Sequence, residues 1–265
     1  MNRLQKKFAE LGEKGEKALV GFVTAGDPDL ERSLAVTTAM CHAGLDVLEL
    51  GVPFSDPTAD GPVIQRASAR ALASGTRLAD VIAMAGRIRT QSPVPIIIFS
   101  YYNPILQYGL QAFHEDTVRA GADGVLVVDL PPEESDEMTS LWSGEDFHLV
   151  RLIAPTTAAD RMTDIAASAT GFLYLVSMTG VTGSDGLDVS AIGRQATALR
   201  AVTTLPVCVG FGISTPDDVT AVAGIADGVV IGSAFERVIE ENIDSPDLPL
   251  LIAEMVRQYK AATRR

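Results

Sequence analysis

The sequence contains few of the residues that build covalent, redox or metal centres. It has two cysteines, and neither stands in a CxxC pair, so we expect no disulfide framework and no zinc site. Two of the three histidines fall in predicted helices, and the third begins a strand at the rim opposite the expected site, which argues against a histidine–metal centre. No lysine lies at the end of a predicted strand, which argues against a Schiff base. The cysteines are Cys41 and Cys208, the histidines are His42, His114 and His148, and the lysines are Lys6, Lys7, Lys14, Lys17 and Lys260.

Positive charge and long apolar runs are also scarce. The net charge is −13, which argues against nucleic acid and anionic membranes as partners because both attract positive charge. No apolar run approaches the roughly 18 residues that a membrane-spanning helix needs. Residues 1–17 are polar and mixed in charge, unlike a signal peptide. We therefore expect a cytoplasmic protein that carries no metal and no cofactor of its own.

Short apolar strands alternate with helical segments along the whole chain. Eight strands are predicted, and their uninterrupted Val, Ile and Leu runs are typical of strands covered on both faces. Helices are predicted at 30–43, 78–89, 111–120 and 216–223, the last with Thr215 as its N-cap. The strands span 18–24, 47–50, 95–101, 124–129, 148–153, 171–176, 206–210 and 228–231.

Eight βα units in about 250 residues indicate a (β/α)8 TIM barrel, here a single domain over residues 1–265. Residues 1–17 are predicted to form an extra N-terminal helix that caps the bottom of the barrel, and residues 248–263 a closing helix. The alternative is a doubly wound open sheet. A dinucleotide-binding version of that sheet is disfavoured because no G-x-G-x-x-G follows the first strand.

A carboxylate, Glu49, stands inside the apolar second strand, and a Gly- and Pro-rich loop with Asp60 follows it. Burial raises the pKa of a carboxyl group, and a raised pKa suits proton transfer near neutral pH. The alternative is that Glu49 pairs with a hidden Arg or Lys. Asp27, before Pro28, is interpreted as a turn former or helix cap.

Two neighbouring loops predict a phosphate site. Gly210-Phe211-Gly212-Ile213-Ser214 and Gly232-Ser233-Ala234 follow strands 7 and 8, where barrels commonly bind phosphate. No Lys or Arg occurs in either loop, so backbone amides and the Ser233 hydroxyl would hold the anion. The alternative is that the glycines form tight turns and Ser233 is only an N-cap.

An apolar pocket could be lined by the aromatic residues Phe22, Tyr101, Tyr174 and Phe211, although core packing is the commoner role of aromatic residues. Residues 177–188 are predicted to form a mobile lid, or else an ordinary loop.

Five segments resemble motifs of the tryptophan synthase alpha chain family. They occur in the same order as in the family, and the resemblance covers essentially the whole length of the chain. The segments are 22–28 (FVTAGDP), 48–62 (LELGVPFSDPTADGP), 174–183 (YLVSMTGVTG), 210–214 (GFGIS) and 232–234 (GSA). The resemblance implies a barrel that cleaves indole-3-glycerol phosphate to indole and glyceraldehyde 3-phosphate.

The resemblance also implies roles for single residues. Glu49 would be the general acid/base, Asp60 would hold the indole N–H, and Thr182 would orient Asp60. The phosphate would be bound at Gly183, Gly212, Gly232 and Ser233, and the indole would be lined by Phe22, Tyr174 and Phe211.

The family forms an α2β2 complex with a beta chain that carries pyridoxal phosphate. The resemblance places Pro53, Asp56, Tyr101 and Asn103 on the surface that faces this partner. Two alternatives stay open from the residues alone: another phosphate-binding barrel enzyme, such as an isomerase, and a non-catalytic subunit that binds and activates the beta chain.

Overall fold

Eight parallel strands close into a barrel in the computed structural model, which describes residues 2–142, 146–177 and 187–264. Each strand pairs with its successor and β8 pairs with β1, so the barrel has no open edge. The strands are β1 (Ala18–Thr24), β2 (Val47–Gly51), β3 (Ile96–Ser100), β4 (Gly124–Val127), β5 (His148–Ile153), β6 (Leu173–Val176), β7 (Val207–Gly210) and β8 (Gly228–Ile231).

The helices form the outer layer. They are α1 (Arg3–Lys14), α2 (Leu30–His42), α3 (Pro62–Ala73), α4 (Leu78–Arg89), α5 (Tyr102–Tyr108), α6 (Leu110–Arg119), α7 (Asp136–Thr139), α8 (Ala159–Ser168), α9 (Val189–Arg200), α10 (Pro216–Ala223), α11 (Ser233–Glu241) and α12 (Leu248–Ala262), with a short 3₁₀ helix at Pro132–Glu134.

The predicted barrel is therefore confirmed, and the open sheet is excluded. All eight predicted strands are present, with ends that differ by at most two residues. The difference is two residues at β4, which ends at Val127 rather than at residue 129, and at β6, which begins at Leu173 rather than at residue 171. Gly171 has φ +81°, and a Cβ there would lie 2.9 Å from a methyl group of Leu4, so this residue forms a tight turn before the strand. The predicted Thr215 cap of α10 accepts a hydrogen bond from the Asp218 amide at 3.1 Å.

The side chains of the strands point alternately into the barrel and outward to the helices. The inward residues form one apolar cluster, and the outward residues pack with the helices in a second, larger one. Phe22, Glu49 and Ile97 lie side by side in the register of β1, β2 and β3. Since the neighbouring Val47 belongs to the inward cluster, alternation points Glu49 into the barrel as well.

Helix α1 covers the bottom of the barrel, as predicted. Its N-cap, Asn2, forms a capping box with Gln5, so the helix begins with its first amides satisfied. Leu4 is completely buried in the inward cluster, and the ring of Phe8 packs on Phe172 with centroids 5.8 Å apart. An active site is therefore expected at the opposite end of the barrel, where the carboxyl ends of the strands lie.

Across the described ranges 2–142, 146–177 and 187–264, we found no helix with both the length and the apolar character needed to cross a bilayer.

We predict that Leu4→Ala lowers the free energy of unfolding by about 3 kcal/mol, because it leaves a cavity at the bottom of the barrel, which α1 covers. The measurement is the urea unfolding midpoint. The matched control is Leu250→Ala, which truncates a side chain that is 67% exposed and should change the midpoint little. Equal effects of the two substitutions would contradict the role of α1 in covering and stabilising the bottom of the barrel.

Candidate active site

Glu49 is a buried carboxyl group without a stabilising partner. Its side chain is fully buried, and neither carboxyl oxygen has a hydrogen-bond partner among the residues that the structure describes. No cation offsets the loss of water, so burial raises the pKa of Glu49 to about 8. The alternative of a hidden ion pair is therefore wrong. At neutral pH this side chain is mainly protonated and can donate a proton.

Asp60 lies on the loop between β2 and α3 and is held by Tyr101. The Tyr101 hydroxyl donates to Asp60 Oδ2 at 3.2 Å and accepts from the amide of Ala59 at 2.9 Å. Burial raises the pKa of Asp60 to about 6, and the Tyr101 hydrogen bond opposes that shift. Near pH 7 the two carboxyl groups therefore differ: Glu49 is protonated and Asp60 is ionised.

Both carboxyl groups line one cavity of about 260 Å³ at the carboxyl end of the strands. Its walls are mostly apolar, and the rings of Phe22 and Phe99 meet edge to face with centroids 4.9 Å apart. Such a space suits a flat apolar ring. The other lining residues are Gly61, Pro62, Val63, Ile64, Tyr174, Phe211, Gly212, Ile213, Val230, Gly232, Ser233 and Arg237.

Glycines make room for the aromatic walls of this cavity. A Cβ on Gly51 would lie 2.6 Å from the Phe22 ring, and one on Gly210 would lie 2.3 Å from the Tyr174 hydroxyl. Larger residues at these two positions would displace the rings.

The far end of the cavity has the geometry of an anion site. Gly232 is the N-cap of α11 and Ser233 is its first residue, so the interpretation of Ser233 as an N-cap is wrong. The free amides of a helix start attract negative charge. The loop after β7 adds Gly212, and the preceding Phe211 has φ +97°, a conformation that non-glycine residues rarely adopt outside functional sites.

The structure brings most of the predicted site residues together. The same cavity is lined by eight of them: Glu49, Asp60, Phe22, Tyr174, Phe211, Gly212, Gly232 and Ser233. The predicted Thr182 and Gly183, and most of the predicted lid, lie outside the described residues. Tyr101 does not line this cavity but binds Asp60. Within the described parts of the chain, no group of three or more His, Cys, Asp or Glu residues forms a metal site.

The residues predicted to face a partner differ in exposure. Asp56 and Asn103 are exposed, whereas Pro53 is buried and Tyr101 is only 4% exposed. The partner surface as a whole stays a prediction.

Some residues of the cavity were missed at the sequence level. Phe99 is one of them, although its register two residues beyond Ile97 on β3 could have placed it inside the barrel. Arg237 is another: it contributes from α11, four residues beyond Ser233, rather than from a loop. The signal was the helical spacing of i and i+4, which puts both residues on one face.

An ion-pair network connects the carboxylate loop with the anion end. Arg70 on α3 binds the buried Asp27 with two hydrogen bonds of 2.8 Å and Glu240 on α11 with one of 2.7 Å. Arg66 binds the same Glu240. Asp27 does stand in a turn, where its amide donates to the Thr24 carbonyl at 3.3 Å, but it is not a helix cap, because Asp29 is the N-cap of α2.

A closed (β/α)8 barrel in which two carboxyl groups and the start of a helix line one apolar cavity has the architecture of an acid–base barrel enzyme. The family model for the tryptophan synthase alpha chain matches residues 8–264. The chain therefore belongs to the tryptophan synthase alpha chain family.

Individual relatives agree with this assignment. The tryptophan synthase alpha chain of Desulfosudis oleivorans is 63% identical over 264 residues, and that of Desulfatibacillum aliphaticivorans is 60% identical, with both chains fully covered in each case. The crystal structure of tryptophan synthase subunit alpha from Legionella pneumophila superposes with a TM-score of 0.90 at 39% identity, covering 99% of this chain and 98% of that one.

We predict that Glu49→Gln stabilises the fold increasingly as the pH rises from about 5 to 8. The unfolded chain releases the Glu49 proton near its ordinary pKa of 4.5, whereas the folded chain keeps it until about 8. In that window the wild type loses roughly 1.4 kcal/mol of stability for each pH unit through this group, and the variant does not.

The measurement is denaturant unfolding of both proteins at pH 5 and pH 8. Asp56→Asn is the control, since it removes a carboxylate that is exposed and should leave the pH dependence unchanged. A stability difference between wild type and Glu49→Gln that is the same at both pH values would contradict the raised pKa.

Proposed function

We propose that the cavity bounded by Glu49, Asp60 and Ser233 is the active site in which this chain cleaves indole-3-glycerol phosphate to indole and glyceraldehyde 3-phosphate. That cleavage, a carbon–carbon lyase reaction, is the role of the family to which the chain belongs. The observation that carries the assignment of the site is Glu49, a buried, unpartnered carboxyl group with a pKa of about 8 that opens into the cavity.

Glu49 acts first as an acid. Breaking the bond between indole C3 and the glycerol chain requires a proton on C3, and a carboxyl group that is protonated near pH 7 supplies it. Phe22, Phe99 and Tyr174 hold the ring between apolar walls beside this carboxyl group. Excluding water there keeps Glu49 in its protonated form.

Asp60 stabilises the charge that this step creates. Protonation at C3 costs the five-membered ring its aromaticity and places positive charge on the ring nitrogen. An ionised Asp60 accepts a hydrogen bond from the ring N–H. This hydrogen bond becomes stronger as the charge develops, so it stabilises the transition state more than the bound substrate. The Tyr101 hydroxyl keeps this carboxylate oriented and ionised.

Glu49 then acts as a base. Having given its proton to C3, the carboxylate takes the proton of the side-chain hydroxyl, the C3–carbon bond breaks, and its electron pair restores the aromatic ring. The hydroxyl oxygen becomes the aldehyde of glyceraldehyde 3-phosphate, and Glu49 is protonated again. One carboxyl group therefore serves both steps, without a Schiff base.

The substrate phosphate binds at the start of α11 and at Gly212 in this proposal. Gly232, Ser233 and Gly212 offer backbone amides and one hydroxyl. Thr182, as the residue that orients Asp60, and Gly183, as a phosphate ligand, remain predictions from the family resemblance.

An alpha chain is one subunit of the tryptophan synthase complex and needs no cofactor itself. We propose that this chain pairs with a beta chain in an α2β2 complex, that the beta chain carries pyridoxal phosphate, and that it consumes the indole to make tryptophan. The exposed Asp56 and Asn103 lie on the proposed partner surface. Two unpaired, buried cysteines support a reducing, cytoplasmic setting.

The test of the reaction is indole release from indole-3-glycerol phosphate by the purified chain. We expect Glu49→Gln to remove turnover while substrate affinity is largely kept, because the amide neither gives nor takes the proton. We also expect kcat/KM of the wild type to be bell-shaped in pH. It should rise as Asp60 ionises near 6 and fall as Glu49 ionises near 8.

The alternatives give different results in the same assay. Wild-type turnover in the Glu49→Gln variant would end the role of this residue. Turnover of another phosphorylated substrate, with none of indole-3-glycerol phosphate, would identify a different barrel enzyme, such as an isomerase.

We further predict that a beta chain increases the rate of indole release by the wild type severalfold or more. A docked partner that takes up indole couples the two reactions, and the measurement is indole release with and without a purified beta chain. An unchanged rate would contradict coupling and leave a free-standing lyase. Stimulation of the beta chain without any cleavage would identify a non-catalytic activating subunit.

A further inference from the structure

The cavity contains one cationic residue among the described residues that line it. Arg237 lies on α11, one helical turn beyond Ser233, and both residues line the cavity. The acidic side chains of the lining are the carboxyl groups of Glu49 and Asp60. Among the described residues of the lining, any positive side-chain charge that reaches a ligand therefore comes from Arg237.

Arg237 has no counter-ion in the described parts of the chain. The structure gives it no hydrogen bond and no salt bridge, whereas Arg66 and Arg70 are both tied to Glu240. Because Arg237 is exposed beside the cavity, its guanidinium group is available to a ligand. An arginine that stays unpaired at a binding cavity differs from the many arginines of this chain that form surface ion pairs.

The position of Arg237 also relates it to the loop after β7. Tyr259 of α12 donates a hydrogen bond to the carbonyl of Ser214 in that loop at 2.6 Å. Burial and the charge of Asp218 raise the pKa of Tyr259 to about 12, and the charge of Arg237 opposes that shift. The charge of Arg237 thus reaches the Tyr259 hydroxyl, and this hydroxyl binds the loop that supplies Gly212 to the cavity.

A second feature shows that the cavity is built for a ligand. Glu49 is fully buried, both of its carboxyl oxygens lack partners in the described chain, and it opens into the same cavity. A helix start supplies only about half a positive charge, whereas a phosphate group near neutral pH carries nearly two negative charges. The amides and the Ser233 hydroxyl therefore leave much of the charge of the phosphate uncompensated.

We propose that Arg237 is a substrate-binding residue that pairs with the phosphate group of the substrate. The inference rests on the proposed function for the identity of the substrate, and it adds a charged contact to the backbone and hydroxyl contacts of that site. An arginine fits the task because its guanidinium can form two parallel hydrogen bonds to phosphate oxygens. Arg237 takes no part in proton transfer.

The test is Arg237→Gln, which keeps most of the side-chain length and removes the charge. We expect KM for indole-3-glycerol phosphate to rise about tenfold and kcat to stay within about twofold, because a charge-assisted hydrogen bond is lost from ground and transition states alike. The inhibition constant of inorganic phosphate should rise in parallel, whereas the affinity for indole should not change. Arg237→Lys should restore part of the affinity.

The matched control is Arg257→Gln on α12, which removes the same charge from a side chain that is 55% exposed and paired with Glu254. It should leave KM and phosphate inhibition unchanged. Equal values for the wild type and Arg237→Gln would overturn the inference, and so would an equal loss of indole affinity, which would show a general disturbance of the cavity.

Ser233→Asp separates this inference from the proposed function. If Ser233→Asp blocks phosphate binding while Arg237→Gln does not weaken it, the phosphate site stands and the role of Arg237 is wrong. If the wild type does not cleave indole-3-glycerol phosphate, the proposed function fails. Direct binding of inorganic phosphate to the wild type and Arg237→Gln then still decides whether Arg237 binds the anion.

Discussion

The removal of the Glu49 carboxyl group from water is the interaction on which the rest of the site depends. Alternation along β2 points this residue into a closed barrel, between Phe22 and Ile97, where no cationic side chain of the described residues pairs with it. The fold therefore stabilises the protonated form and gives up stability above the ordinary pKa of a glutamate. A salt bridge at this position would stabilise the protein and abolish the acid. The unpartnered state of Glu49 is the physical cost of a proton donor that works near pH 7.

A second constraint is the distance between the two ends of the cavity. Asp60 stands just before α3, and Ser233 begins α11, so the proposed substrate site lies between the starts of two helices. Arg70 joins α3 to α11 through Glu240, and both to the end of β1 through the buried Asp27. Since bridging charges resist separation when one of them is buried, this network holds the acid end and the anion end at a fixed spacing. The network explains why a buried aspartate is present where the sequence suggests only a turn.

The sequence predicts features that depend on neighbours along the chain and misses those that depend on packing. The strands follow from their apolar runs, and the raised pKa of Glu49 follows from its apolar flanks. The bond from Tyr101 to Asp60 joins residues 41 positions apart and exists because β2 and β3 are adjacent, which the sequence does not show residue by residue. Arg237 was missed for a related reason: only a helix that begins at Ser233 brings a residue four positions later to the same cavity.

The charges of the cavity are mutually dependent. An ionised Glu49 beside an ionised Asp60 would repel a phosphorylated substrate, so the desolvation that protonates Glu49 also permits the anion to bind. A bound phosphate adds negative charge to the cavity and thereby favours the protonated form of Glu49 before the bond is broken. In a protein of net charge −13, a bound anion would need local positive charge, and in the proposed site the start of α11 and Arg237 would supply it. Proton donation at one end and anion binding at the other are therefore parts of one electrostatic arrangement.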